Sequence, residues 1–364
     1  MEKGVGQAVS SGTPGVPSGS GSGSGSRPGR PPVRHARHAS AVKVAFRPVE
    51  RMRTGDPSAA FIECGHSEFR VSLDIASIPI GIIAGEQEPF KEQRGGPAVP
   101  ETLWEIALGQ EPVVATALHD GHELREEVSA IMALSDADRL REEDPYTGGW
   151  TEVASTRLIP RRSRFEVDLN RPRERAVYRT PDDCWGLEVW KKPPPDDLVE
   201  RSLADYDAFY ARTHRILSEM ERRHGHFVVL DLHSYNHRRG GPDASPDDPE
   251  ANPEVNIGTG SLDRARWGHL VDRFIHDLTG FAWLGRNLDV RENVRFRGGH
   301  FSRWIHENFP HSACCLAVEF KKLFMDEWTG QLKPEEFEAS RQALHSTLPG
   351  LSKGLAETPP AASG

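Results

Sequence analysis

Two histidines stand where this chain can do chemistry. His119 follows the short apolar run Val113–Leu118 in PVVATALHDG, and His233 follows Phe227–Leu232 in FVVLDLHSYNHRR. A catalytic zinc takes three protein ligands and keeps one position open for water, and imidazole nitrogens and a carboxylate oxygen suit it. The third ligand is then an acidic residue on a nearby loop: Glu123, or one of the pair Glu143-Asp144 in REEDP. Glu319 ends a third apolar run, CCLAVEF. A carboxylate there can take a proton from the attacking water and return it to a leaving amine, and partial burial would raise its proton affinity. Arginine has the planar fork that grips a substrate carboxylate, and Arg164, Arg171 and Arg303 are the candidates. Each residue also has an ordinary reading. Glu123 suits the first turn of a helix without any metal, and Asp136–Asp144 can be a solvated loop. Lys321 and Lys322 can pair with Glu319, and a histidine at a strand end can be purely structural. No compact motif of the HExxH kind is present.

The elements that must hold these residues alternate between extended and helical patterns, which points to an α/β class. Strands are expected at Val113–Leu118, Arg164–Leu169, Phe227–Leu232 and Cys314–Phe320. The wholly apolar character of Phe227–Leu232, Asp231 apart, fits a central strand covered on both faces. Helices are expected at Glu123–Leu134, Pro195–Arg223 with Gly225 closing it, Leu262–Leu278 with Ser261 as N-cap, and Pro334–Leu344. Four extended runs thus end in His119, Asn170-Arg171, His233 and Glu319. One site at one sheet edge, where ligands bind open α/β sheets, would produce that recurrence.

Composition narrows the partners. The 364-residue chain has a formal net charge of −9, which disfavours nucleic acid. Hydrophobic residues make up 37%, and both ends account for the shortfall. Residues 1–40 are expected to be a disordered Gly/Ser/Pro-rich tail, 41–352 a single domain, and 353–364 a second tail. No apolar run is long enough to span a membrane, and no secretory leader pattern is found. The cysteines, including adjacent Cys314 and Cys315, do not suggest a disulfide framework, so a reducing cytoplasm is expected.

At these residues the sequence resembles the N-formylglutamate amidohydrolase family. The matching runs are LHDG, REEDP, SRFEVDLNRPRE, DLHSYNHR and FRGGHFSRW, in the family's order from Leu118 to Trp304. That family is similar in turn to zinc carboxypeptidases. The resemblance implies a three-layer α/β/α sandwich with a mixed central sheet, one zinc ion, and hydrolysis of an amide beside a carboxylate. The substrate class it implies is a small acidic N-acyl amino acid, N-formylglutamate being the family substrate. Carried over by position, His119 and His233 become zinc ligands, Asn170 and Arg171 the carboxylate clamp, Glu319 the base, and Arg303 part of the substrate site. One departure stands out. Carboxypeptidases place a glutamate three residues after the first zinc histidine, and here that position is His122. The carboxylate ligand therefore moves to Glu143 or Asp144, with Asp144 preferred. A carboxypeptidase-like peptidase and a non-catalytic binding protein are the competing readings.

Overall fold

The computed structural model describes residues 103–359. The expected N-terminal tail, the start of the domain near residue 41, Cys64 and residues 360–364 lie outside the described residues. In chain order the elements are β1 (Trp104–Ala107), β2 (Val113–Thr116), α1 (Glu126–Ile131), α2 (Asp136–Glu142), α3 (Thr147–Trp150), β3 (Thr156–Pro160), α4 (Asp196–His224), β4 (Phe227–Tyr235), β5 (Val255–Gly258), α5 (Arg264–Gly280), β6 (Val290–Glu292), α6 (His300–Asn308), β7 (Ala313–Lys321) and α7 (Pro334–Glu357).

The strands form one mixed sheet in the order β1-β3-β2-β4-β7-β5-β6. Its centre, β3-β2-β4-β7, is parallel throughout, while β1 and β5 join antiparallel to β3 and β7. Alternation along the strands sorts the side chains onto two faces. Val228, Leu230 and Leu232 of β4 and Leu316 and Val318 of β7 pack against Trp267, Leu270 and Phe274 of α5 and Leu344 and Leu351 of α7. Phe227, Val229, Ala313 and Cys315 face the other way, against Phe209 and Leu217 of α4 and Phe301 and Ile305 of α6. The result is the three-layer α/β/α sandwich with a mixed central sheet. All nine residues of β4 are buried, as a strand covered on both faces requires.

Long periodic elements match their expected positions: α4 ends at Gly225, whose φ of 73° suits a residue without a Cβ. Other expectations need correction. Arg164–Leu169 is not a strand but a run of turns. Its alternation is real, since Phe165, Val167 and Leu169 are buried, but they fill gaps between helices rather than pairing with another strand. The N-cap of α5 is Asp263, whose carboxylate accepts from the Ala265 and Arg266 N–H groups. Helix α7 runs to Glu357, past both Leu344 and residue 352, because Leu351 and Leu355 continue its buried stripe into the core under α5.

Candidate metal centre and substrate cavity

Parallel β2, β4 and β7 end on the same edge of the sheet, and this brings three of the chemically interesting residues together. His233 lies on β4 directly opposite Glu319 on β7 in the register. Both fall on the α4/α6 face, in the same alternation as Asp231. His119 stands just past the end of β2, and its ring centroid is 4.9 Å from that of His233.

Asp144 completes the group. One of its oxygens, Oδ2, lies 3.0 Å from His233 Nδ1 and 3.4 Å from His119 Nδ1. All three residues are at most 3% exposed. Four-coordinate donors at ~2.0–2.1 Å from a zinc ion stand about 3.3 Å from one another in a tetrahedron, so these spacings suit a shared cation. The other imidazole nitrogens are also occupied. His119 Nε2 meets Asp168 Oδ1 at 2.8 Å, and His233 Nε2 meets Asp231 Oδ1 at 3.1 Å. Carboxylates behind ligating histidines are a recurring feature of metal sites, because they fix the tautomer and raise ligand basicity.

Charge tells the same story. Asp144, Asp168, Asp231 and Glu319 crowd around two imidazoles, with Arg164 on Asp168 at 2.8 Å. Burial alone would raise the Asp144 carboxyl, yet hydrogen bonds from the two histidines hold it well below the ordinary range. Burial would likewise lower His233, but Asp231, Glu319 and Asp144 hold it well above the usual imidazole value. Burial pushes Glu319 up to about 7; His233 opposes that shift and Asp144 adds to it. Four acidic groups crowded around two histidines and one guanidinium in low dielectric favour added positive charge. A dication is the natural complement, and the donor set fits one.

The remaining acidic candidates are elsewhere. Glu143 is buried but turned away, bound by His122 Nδ1, by Ser163 Oγ and by Arg139 Nη1 at 3.3 Å. It is therefore not part of the candidate metal group of His119, Asp144 and His233. Instead it anchors the loop that carries Asp144. Glu123 is exposed beside Arg161. Lys322, which the sequence offered only as a partner for Glu319, is fully buried and donates to the carbonyl oxygens of Arg141 and Glu143 at 2.6 and 2.7 Å. It locks the same loop.

Asn170 and Arg171 come from the turn segment, not from a strand end. Asn170 Oδ1 accepts from the Phe301 N–H at 3.0 Å at the start of α6, so its Nδ2 faces the cavity and lies 3.4 Å from His233 Nε2. Gly299 makes this possible: a Cβ there would fall 2.1 Å from the Asn170 amide oxygen. Arg171 and Arg303 line the cavity. Arg164 lines it too, but its Nη2 is committed to Asp168 Oδ2 at 2.8 Å. The cavity holds about 830 Å³. Sequence reasoning missed Asp168, Asp231 and further arginines on its wall, Arg175, Arg239, Arg295 and Arg297. Asp231 had a signal, being the sole charge in an otherwise apolar strand. Arg297 had only its place in the conspicuous FRGGH motif, with Arg295 just before it.

Together these features define an α/β/α protein with a candidate metal centre at the carboxyl edge of its parallel strands. The family model for N-formylglutamate amidohydrolase matches residues 111–325, more than half of the chain. The chain belongs to that family, and so to a family of hydrolases. Its fold is similar to that of an N-formylglutamate amidohydrolase from Ralstonia eutropha, at 16% identity and a TM-score of 0.53, covering 70% of this chain and 98% of the other. A gene product of Agrobacterium tumefaciens is similar at 17% identity and a TM-score of 0.50, covering 70% and 96%. No curated protein matches the sequence. Among the described residues, no helix is long and apolar enough to cross a membrane.

Proposed function

We propose that the protein is a zinc-dependent hydrolase that cleaves the amide bond of a small acidic N-acyl amino acid of the N-formylglutamate type. The observation that carries this reading is the convergence of His119 Nδ1 and His233 Nδ1 on one Asp144 oxygen, with a separate buried carboxylate behind each ring. Zinc held by His119, Asp144 and His233 would supply a Lewis acid for the water and for the amide carbonyl. The chain does the rest. Glu319, partly open to the cavity opposite His233, takes the proton from the attacking water and delivers it to the departing nitrogen. The Asn170 amide and the Arg171 guanidinium hold the substrate carboxylate, with Arg303 beside them. Arg164 acts one layer back, fixing the Asp168 carboxylate that orients His119.

Buried free thiols at Cys184, Cys314 and Cys315 support a reducing compartment such as the cytoplasm. A carboxypeptidase-like activity is the second reading, favoured by a cavity with room for more than a formyl group. A panel of N-acyl amino acids and C-terminal peptides separates the two. The central test combines metal analysis with turnover. Glu319→Gln retains one equivalent of zinc and loses about 10²–10⁴-fold in kcat, while His233→Ala loses the metal. Full activity in metal-stripped protein would overturn the proposal.

A further inference from the structure

We propose that the acyl half of the substrate carries a carboxylate of its own, and that Arg295 reads this second anion. The inference rests on the amide-hydrolase reading above and extends it to the acyl side. The reaction is balanced as an ordinary hydrolysis. The acyl carbon gains the water oxygen, the C–N bond breaks, the nitrogen gains a proton, and the products are a dicarboxylic acid and an amino acid.

The cavity has positively charged walls on both flanks of the reacting centre. On one flank, the segment bearing Arg171 reaches the β2 side, where Asp168 meets His119. On the other, Arg295 and Arg297 come from the segment between β6 and α6. The Arg295 N–H donates to Asn256 Oδ1 at 2.9 Å, and Asn256 is the register partner of Glu319 on β5. The line His119, His233, Glu319 therefore runs between the two walls.

Several wall arginines are already neutralised. Arg164 has Asp168, Arg239 has Glu142 at 3.2 Å, and Arg175 has Asp183 at 3.6 Å. Arg171 reaches Asp168 only at 3.8 Å. Arg295, Arg297 and Arg303 have no carboxylate partner among the described residues. Arg295 is moreover held in place. Its guanidinium lies over the rings of Tyr235 and Phe296, at 5.2 and 5.3 Å from their centroids, and one arm is bound to the Asn252 side-chain oxygen. Its Nη2 makes no hydrogen bond among the described residues and is not among the buried unpartnered atoms. An immobilised fork with spare donors suits a bidentate carboxylate. A formyl group is a single neutral carbon and has no use for such a wall, and about 830 Å³ leaves space for a longer acyl chain.

The test uses the full-length, zinc-loaded protein and three probes: N-succinylglutamate, its uncharged analogue of equal carbon count N-butyrylglutamate, and N-formylglutamate. The expected result is a succinyl-over-butyryl preference in kcat/KM of about 10- to 100-fold, the size of a lost charged hydrogen bond. In Arg295→Gln, and in Arg297→Gln as an independent variant, the ratio falls toward one while zinc stoichiometry stays at one. Equal rates on succinyl and butyryl probes, or the fastest turnover on N-formylglutamate, overturn the inference and leave amide hydrolysis standing. A succinyl preference unchanged in Arg295→Gln overturns the assignment to Arg295, whatever Arg297→Gln does. Cleavage of none of the three overturns the inference together with the reading beneath it.

Discussion

Replacing Asp231 by asparagine separates a metal-tuning carboxylate from a merely structural one. Asp231 is fully buried with its Oδ1 3.1 Å from His233 Nε2, an ion-pair contact, and neither of its oxygens has a hydrogen-bond partner among the described residues. Asparagine keeps the shape and an oxygen acceptor but removes the charge that makes His233 a stronger donor. Loss of a carboxylate behind a ligating histidine weakens metal binding by roughly 10–100-fold, or about 1.4–2.7 kcal/mol. The metal-free protein behaves differently. There the substitution removes a buried, poorly solvated charge, so stability without metal should hold or rise. The two effects have opposite signs, which makes the experiment decisive. Zinc Kd is measured by competition with a chromogenic chelator, and thermal unfolding is followed with and without metal. At free zinc a thousand times the wild-type Kd, binding stabilises the fold by ~4.1 kcal/mol; for a tenfold weaker variant the figure drops to ~2.7 kcal/mol. A Kd within twofold of wild type would refute the role given to Asp231. A large loss of stability in the metal-free variant would refute the charge argument.

Three further outcomes are expected. Lys322→Met frees the Arg141 and Glu143 carbonyls, costing about 1–3 kcal/mol and weakening zinc binding through Asp144; denaturant unfolding and zinc titration check it, and an unchanged Kd would detach Lys322 from the metal centre. Gly299→Ala drives a methyl group into the Asn170 amide, and kcat/KM should fall on the order of 10²-fold with zinc content unchanged. His306 is pushed down to about 4 by burial, with its Nε2 accepting from the Cys315 N–H. The unfolded chain, titrating near 6.5, binds more protons than the fold between those values, so stability falls as pH drops from about 6.5 to 4, by about 3 kcal/mol at ~1.4 kcal/mol per pH unit. His306→Gln should flatten that limb in urea titrations across the same window.

The sequence by itself determined the framework. Apolar runs marked β2, β4 and β7 because central strands are buried on both faces, and the stripe of α4 was regular over many turns. It also singled out both histidines, because a polar residue ending a buried strand is conspicuous. The short strands β1, β5 and β6 left too little pattern to be seen, and β3 was missed as well. The turn segment before Asn170 imitated a strand, since alternation reports burial and not pairing. What tertiary structure alone decided is which carboxylate faces the two histidines. Glu143 and Asp144 are adjacent carboxylates, and the local sequence does not say which one faces the histidines. Lys322, Ser163 and His122 take hold of the loop from distant parts of the chain, with Arg139 one helical turn before Glu143, and they turn one carboxylate into the scaffold and the other toward His119 and His233. Orientation at that loop is a property of contacts between remote residues, and only the assembled fold contains them.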